Sequence, residues 1–452
     1  MSSIPTAHTD APSAPAPIER AEAFRFWLKL GFISFGGPAG QIAIMHSELV
    51  ERRRWISENR FLHALNYCMV LPGPEAQQLA TYIGWLMHRT WGGIVAGALF
   101  VLPSLAILIA LSWIYLAFGQ VPAVAGIFHG IKPAVTALVL HAAHRIGTHA
   151  LKNPWMWAIA AASFIAIFAF DAPFPAIVLA AGLIGHFGGK HAPQVFAVGG
   201  GHGSAKQGYG PAVIDDDTPT PPHARFSRSR LARVLAIGLG LWAVAMAALI
   251  AWRGLDGALA QMGWFFTKAA MLTFGGAYAV LPYVYQGAVE HQHWLTGPQM
   301  IDGLALGEST PGPLIMVVAF VGFLGGWQHA LLGPDALFAA GALAASVVTF
   351  FTFLPSFVFI LAGGPLVEST HGKLQFTAPL TAITAAVVGV IVNLAAFFAY
   401  HVFWPAGFGG HFDVLSAAIA LASAVALFRF KVGVLPLLGV CGLVGLAAKV
   451  MF

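Results

Sequence analysis

The sequence predicts an all-α polytopic membrane protein whose membrane segments form two repeats of inverted topology. The 452 residues are 58% hydrophobic and only 9% charged, whereas a typical soluble chain carries about 25% charged residues. So few charges cannot cover a water-exposed surface, which excludes a soluble enzyme. The apolar residues run in continuous blocks rather than in the alternating strands of a β-barrel. Short motifs of the first half also recur in the second half, which indicates a duplicated unit.

About 13 apolar segments are long enough to cross or enter a bilayer, for which a spanning helix needs about 20 residues. They cover 24–46, 61–87, 91–118, 122–148, 155–170, 173–187, 231–252, 260–286, 300–326, 335–363, 374–404, 412–428 and 432–450. We divide the chain into a flexible tail (1–22), a first repeat (23–187), a polar linker (188–230), a connecting transmembrane helix (231–253) and a second repeat (254–452).

The internal repeat has a constant offset of 239 residues. Phe35-Gly36-Gly37 recurs as Phe274-Gly275-Gly276, and Pro72-Gly73-Pro74 recurs as Pro311-Gly312-Pro313. The same offset relates Lys29 to Lys268, Glu51 to Glu290 and Trp55 to Trp294; beyond an insertion, Pro103-Ser104 corresponds to Pro355-Ser356. Seven hydrophobic segments separate the starts of the copies. Because an odd number of crossings reverses direction, the copies are predicted to be inverted, as in many secondary transporters.

The charges favour one of two topologies. If every segment spans, Arg52, Arg53, Arg54 and Arg60 face outside, against the positive-inside rule. If 24–46 and 61–87 are instead re-entrant hairpins from the cytoplasm, and 260–286 and 300–326 are hairpins from outside, 18 of the 23 Lys and Arg lie inside. Each hairpin also has Gly or Pro near its middle. We therefore favour the hairpins, with the tail and linker cytoplasmic.

The Gly and Pro motifs predict broken helices at membrane depth, which are tolerated only where they face protein or a water-filled cavity. A half-helix that begins at such a break points free N–H groups into the cavity, so four related breaks would form a cage for an anion. Close helix packing is the alternative. The candidate substrate-binding residues are Gly36, Gly37, Pro38, Pro72, Gly73, Pro74, Gln78, Gly275, Gly276, Pro311, Gly312 and Pro313.

Charged side chains within the apolar segments are further candidates. Lys29 and Lys268 recur in both copies and are assigned to the substrate, with snorkelling to the headgroups as the alternative. Glu75 follows one Pro-Gly-Pro and Glu308 precedes the other, so these carboxylates are candidates for proton coupling. Helix capping is the alternative for Glu75. His141 and His144 share a helix face, where an interface role is favoured over a proton relay.

Other kinds of site are disfavoured. The sequence lacks G-x-x-x-x-G-K-[ST], H-E-x-x-H and G-x-S-x-G, which argues against ATP drive and against a membrane enzyme. Cys68 and Cys441 lie in apolar segments and suggest neither a disulfide nor a metal site. The linker histidines (His186, His191, His202 and His223) are irregularly spaced, so a solvated linker is favoured over a metal site. We expect no cofactor and no nucleic-acid partner.

The motifs in combination resemble the chromate ion transporter family, in its long, two-domain class. They are FGGPAGQIAIMH (35–46), LPGPEAQQLATYIGW (71–85), VLPS (101–104), TFGGAYAVLP (273–282) and STPGP (309–313). The resemblance covers about 24–190 and 260–450. Ala277 stands where the first copy has Pro38, so the halves need not contribute equally.

The resemblance implies a bacterial inner-membrane carrier that exports chromate and so confers chromate resistance. Together with the candidate proton-coupling carboxylates, it leads us to expect that the proton motive force drives this export. Its partners would be chromate, a tetrahedral dianion, together with protons and the lipid bilayer. One alternative is uptake of sulfate or a related oxyanion, and another is a membrane-embedded enzyme or sensor. The sequence leaves a homodimer open.

The inverted repeat can be tested by cysteine accessibility in intact cells. A cysteine introduced beside Arg53 should be protected from a membrane-impermeant reagent, whereas one beside His291 should react, because the predicted topology places them on opposite faces. Equal protection of both positions would rule out the inversion.

Overall fold

The structure is a computed structural model that describes residues 16–35, 37–196, 209–274, 276–370 and 377–451. Within these ranges the fold is all-α, as predicted, with no strand and a single bridge between Ile56 and Ile214. The first half contains α1 (Arg20–Ile33), α2 (Gly37–His46), α3 (Glu58–Val70), α4 (Glu75–Phe118), α5 (Pro122–Ala150), α6 (Pro154–Phe170), α7 (Phe174–His191) and α8 (Pro193–Phe196).

The second half repeats the short broken helices and then continues into long ones. It contains α9 (Arg228–Arg253), α10 (Ala258–Leu272), α11 (Ala277–Tyr285), α12 (Gly297–Ser309), α13 (Val317–Gln328), α14 (Leu337–Thr370), α15 (Thr377–Phe403), α16 (Val414–Phe428) and α17 (Val434–Met451). In the described ranges, six helices are long and apolar enough to cross a membrane. They include α4, α5, α9, α14, α15 and α17. The chain is therefore a polytopic membrane protein.

The first predicted segment is a re-entrant hairpin. α1 ends at Ile33, α2 begins at Gly37, and a π-helical turn (Ser47–Arg52) follows α2. Arg53, just after that turn, forms a 2.9 Å ion pair with Glu22 in the first turn of α1. The chain thus leaves the membrane on the side where it entered, which confirms the predicted hairpin.

The second hairpin is built from α3 and the first turns of α4, and it opens to the same side. Near the start of α3, Arg60 donates to the carbonyl of Thr218, and Trp85 of α4 accepts a hydrogen bond from His223. Both contacts are to the linker. α4 then bends at His88 and Arg89 and continues to Phe118, so the predicted segments 61–87 and 91–118 share one kinked helix.

The second repeat forms the equivalent pair of hairpins from α10 to α13. Trp294 follows a second π-helical turn (Gln286–His291) and stacks at 6.0 Å on Phe266 in the middle of α10. A Cβ on Gly325, near the end of α13, would lie 3.2 Å from the Trp294 side chain. Both hairpins therefore open at one end of the molecule.

α14 shows that the two hairpin pairs open toward opposite ends. It begins beside Gly326 of the second pair, where a Cβ on Gly326 would lie 2.4 Å from the Ala340 carbonyl oxygen. Near its other end, Glu368 forms an ion pair of 3.7 Å with Arg60 of the first pair. The helix has 34 residues and is therefore about 51 Å long. This arrangement confirms the inverted repeat.

The described part of the linker contacts the first hairpin pair, while several of its residues, including Asp216, stay exposed. Asp216 accepts hydrogen bonds from Ser57 (2.5 Å) and Asn59 (2.6 Å), and Ile214 pairs with Ile56. His223 lies half-buried against Trp85, and this burial lowers the pKa of its ring. The composition alone did not show that these polar groups find partners on the first hairpin pair. His202 lies outside the described residues.

Glycines allow the long helices of the bundle to approach closely. A Cβ on Gly389 of α15 would lie 1.9 Å from the carbonyl oxygen of Ala160 in α6, and one on Gly130 of α5 would lie 2.0 Å from that of Cys441 in α17. Small residues at membrane helix interfaces permit such contact. These two glycines therefore serve close helix packing, which was the alternative considered for the glycines of the breaks.

Replacing Gly389 with alanine should destabilise the protein, because the new methyl group would force α6 and α15 apart. Overpacking of this kind costs about 1–3 kcal/mol. Gly240→Ala is the matched control, since a Cβ on Gly240 of α9 meets nothing within 4 Å, and alanine is favoured over glycine in a helix by roughly 0.5–1 kcal/mol. The melting temperatures of the two variants in detergent should move in opposite directions.

Candidate substrate site at the helix breaks

The central breaks of the two repeats are joined by exchanged backbone hydrogen bonds. Gly73 N–H donates to the Thr273 carbonyl oxygen at 2.8 Å, and Gly312 N–H donates to the Ser34 carbonyl oxygen at 2.8 Å. The offset of 239 residues converts one bond into the other. Each Pro-Gly-Pro break is thus held by the Phe-Gly-Gly break of the other repeat.

The residues that accept these bonds are equivalent in a second way. The Ser34 hydroxyl donates to the Leu30 carbonyl at 2.6 Å, and the Thr273 hydroxyl donates to the Ala269 carbonyl at 2.7 Å. Both residues are fully buried. In both repeats the hydroxyl thus bonds to its own half-helix, while the backbone carbonyl of the same residue accepts the N–H of the other repeat.

Two predicted site residues have a role that differs from the prediction. Because the N–H groups of Gly73 and Gly312 are bonded across the repeats, they are not free donors for an anion in this conformation. Their φ values of +124° and +103° disfavour a side chain. A Cβ would lie 2.4 Å from Ser356 Oγ at Gly73 and 2.7 Å from Ser104 Cβ at Gly312. Gly36 and Gly275 lie outside the described residues.

The other candidates at the breaks occupy helix starts and turns. Gly37 and Gly276 have φ values of +70° and +98°, and Pro38 follows Gly37 in the first turn of α2. Pro74 precedes the first residue of α4, Pro313 precedes a short 3₁₀ turn, and the Pro72 carbonyl accepts a 2.8 Å hydrogen bond from the Gln78 amide. Pro311 lies between Thr310 and Gly312 in the remaining break.

Buried amides and hydroxyls surround the breaks. The Gln41 amide donates to the Gly312 carbonyl at 2.6 Å, and the Gln77 amide donates to Thr81. The side-chain oxygens of Gln41, Gln77 and Gln78 have no partner among the described residues, and neither does the hydroxyl of Ser104. The site therefore contains unused polar groups in the membrane interior.

The two carboxylates proposed for proton coupling both lie near the start of α11. Glu308 is 8% exposed and accepts a hydrogen bond from the Tyr278 hydroxyl. Glu75 is the first residue of α4, and a Cβ on Gly276 would lie 4.0 Å from its Oε1. Carboxylates inside a membrane protein can bind and release protons.

The structure does not bring Lys29 and Lys268 to the breaks. Lys29 lies on the exposed face of α1, between Phe24 and Phe32, which are 47% and 51% exposed. Lys268 is exposed on α10 and lies 5.8 Å from the ring of Trp264. These positions favour the snorkelling alternative, and a substrate contact for either lysine stays a prediction.

Comparison with known proteins identifies the family. The family model described as chromate transporter matches residues 21–186 and 260–446. The chain belongs to the chromate transporter family. The two matched stretches are the two repeats of this transporter, and the linker and α9 lie between them.

Relatives of the transporter extend along most of its length. A chromate transport protein of Pseudomonas aeruginosa is 32% identical over 397 residues, which is 86% of this chain and 83% of the relative. A chromate transport protein of Cupriavidus metallidurans is 29% identical over 408 residues, covering 90% of this chain and 87% of the relative. An uncharacterized transporter of Bacillus subtilis is 31% identical over 120 residues, which is 26% of this chain and 67% of that protein. No solved structure matches the transporter.

Sequence reasoning missed several polar residues of the transporter. Ser104 and Ser356 lie beside Gly312 and Gly73, and their correspondence in the repeat was the signal that could have placed them at the breaks. Gln41 and Tyr278 gave no such signal, since the equivalent positions in the other repeat are Val280 and Ala39.

Gly312→Ala should destabilise the folded transporter, because alanine at a left-handed φ costs about 1–2 kcal/mol and its methyl group meets Ser104. The matched variant is Gly37→Ala, which also has a positive φ but no atom within 4 Å of its Cβ. Thermal unfolding in detergent should show the lower melting temperature for Gly312→Ala. Equal melting temperatures would mean that the contact with Ser104 relaxes at no cost.

Proposed function

We propose that this chromate transporter exports chromate from the cytoplasm, is driven by the proton motive force, and thereby confers chromate resistance. The observation that carries the proposal is that Glu308 and Glu75 both approach the start of α11 at the helix breaks, Glu308 at Tyr278 and Glu75 beside Gly276. Inverted repeats with broken helices are typical of secondary transporters, whose substrate and coupling ions bind at the repeat interface. Family membership supports chromate as the substrate.

Proton coupling follows from the chemistry of the two carboxylates. A carboxylate inside the membrane is costly when charged, so its charge depends on its partners. A dianion and these carboxylates carry the same sign of charge, so occupancy of the site by an anion and the protonation of Glu75 and Glu308 affect each other. We therefore assign proton coupling to Glu75 and Glu308, with the anion bound nearby.

The proposed orientation places the first hairpin pair at the cytoplasmic face of a bacterial inner membrane. Arg53 and Arg60 lie at the open end of this pair, and the docked linker adds Arg225 and Arg230 to the same face. Excess Lys and Arg on one side of a membrane protein mark the cytoplasmic side. The N-terminus and the linker would then both be cytoplasmic.

Transport by membrane vesicles tests the direction. Inverted vesicles should accumulate chromate, measured as chromium, when the protein is present and a proton gradient is imposed. Accumulation only in right-side-out cells would instead favour uptake of sulfate or a related oxyanion. Absence of transport in both preparations would favour the membrane enzyme or sensor.

The double variant Glu75→Gln, Glu308→Gln should abolish the response of transport to an imposed pH gradient, because glutamine cannot exchange a proton. Counterflow of chromate between loaded and empty proteoliposomes should persist. Asp335→Asn is the matched control, since Asp335 is an exposed carboxylate in the turn before α14. Proton-driven transport equal to that of the unmodified protein would remove both glutamates from the coupling mechanism.

A further inference from the structure

A second buried charge cluster lies outside the breaks. Asp302 of α12 is 2% exposed. Its Oδ2 lies 3.2 Å from the Lys132 ammonium of α5 and accepts a 2.9 Å hydrogen bond from the Tyr115 hydroxyl of α4. Three helices from both repeats therefore meet at one carboxylate.

Lys132 differs from the lysines that recur in the repeat. The side chains of Lys29 and Lys268 lie on exposed faces, whereas that of Lys132 is 29% exposed and points to Asp302 inside the protein. A buried ion pair is seldom kept for stability, because removing two charges from water costs about as much as their attraction returns. An ionisable group inside a membrane protein marks a functional site by default.

The cluster contains unused hydrogen-bonding capacity. Asp302 Oδ1 is buried and has no partner among the described residues, although buried polar atoms are nearly always paired. Ser112 precedes Tyr115 by three residues, so both lie on one face of α4. The Ser112 hydroxyl is fully buried and likewise has no partner in the described ranges. An ion pair with a purely structural role would leave fewer buried polar atoms without a hydrogen-bond partner.

The cluster is close to the proposed coupling residues. Asp302 and Glu308 belong to the same helix, six residues apart, which places them about 9 Å apart along its axis. Beyond Glu308, the chain reaches the break at Gly312. A solute bound at Lys132 would therefore lie one to two helical turns from the breaks.

We propose that Lys132 is a binding residue for a tetrahedral oxyanion. The Asp302 carboxylate pairs with the Lys132 ammonium group when no oxyanion is bound. This inference rests on the proposed function. The oxyanion displaces the Asp302 carboxylate and accepts hydrogen bonds from the Lys132 ammonium and the Tyr115 hydroxyl. The Ser112 hydroxyl supplies a further donor on the same face of α4. Lys132 therefore has two alternative anionic partners.

Competition for one cation predicts opposite effects of removing its two partners. Lys132→Gln removes the charge that attracts the oxyanion, so affinity should fall roughly 10- to 100-fold, as expected for loss of a charge-assisted contact. Asp302→Asn removes the carboxylate that competes with the oxyanion for Lys132, so the affinity for the oxyanion should rise. Turnover should fall, because Lys132 of the empty site then has no carboxylate to pair with. A purely structural pair would lose binding and folding together in both variants.

Equilibrium dialysis of the purified full-length protein in detergent measures this binding, with chromate and sulfate as the probes and chromium or radiolabel as the readout. Proteoliposome counterflow gives the turnover. If Lys132→Gln fails to fold, the neutral pair Lys132→Gln, Asp302→Asn leaves no unpaired buried charge, and it should fold without binding either oxyanion. Lys132→Arg should retain part of the affinity, because it keeps the charge but changes its reach.

Glu368→Gln is the matched control. Glu368 also joins a cation and a tyrosine, with Arg60 at 3.7 Å and the Tyr82 hydroxyl at 2.5 Å, but it lies at the cytoplasmic end of the first hairpin pair. The Glu368→Gln variant should bind both oxyanions with the affinity of the unmodified protein. Unchanged affinity in Lys132→Gln, or weaker binding in Asp302→Asn, would overturn the inference and leave the proposed function intact. If the unmodified protein binds neither oxyanion, both are overturned.

Discussion

The fold depends on how the backbone groups freed at four helix breaks find partners inside a membrane. Lipid offers no hydrogen bonds, and each unsatisfied group costs several kcal/mol. Here the Gly73 N–H bonds to the Thr273 carbonyl and the Gly312 N–H bonds to the Ser34 carbonyl. Each repeat thereby completes the other, which explains why the glycines, the π-helical turns and the tryptophans after them occur at one constant offset.

The sequence predicts the scaffold well because its determinants are local. Gly36-Gly37 and Pro72-Gly73-Pro74 interrupt a helix wherever they occur, and their recurrence predicts both the hairpins and their inversion. What a side chain faces cannot be predicted in this way, because it depends on which helices pack together. The sequence therefore suggested Lys29 and Lys268 for the substrate, whereas Lys132, which gave no repeat signal, is the lysine that faces a buried carboxylate.

The symmetry of the backbone does not extend to the carboxylates at and near the breaks. Positions equivalent to Glu75, Glu308 and Asp302 in the other repeat are Leu314, Met69 and His63. The linker likewise docks on the first hairpin pair, through Asp216 and His223. A symmetric scaffold allows two equivalent conformations, and asymmetric charges make these conformations differ in energy. Any difference in stability between the two conformations therefore comes from such residues rather than from the breaks.

The exchanged hydrogen bonds also set an order on biosynthesis. Gly73 leaves the ribosome 200 residues before Thr273, and Ser34 leaves it 278 residues before Gly312. At about 5–20 residues per second these intervals last roughly 10–60 s. During that time the Gly73 N–H lacks its Thr273 partner and the Ser34 carbonyl lacks the Gly312 N–H. Water, lipid headgroups or the insertion machinery must shelter these groups until the second repeat arrives.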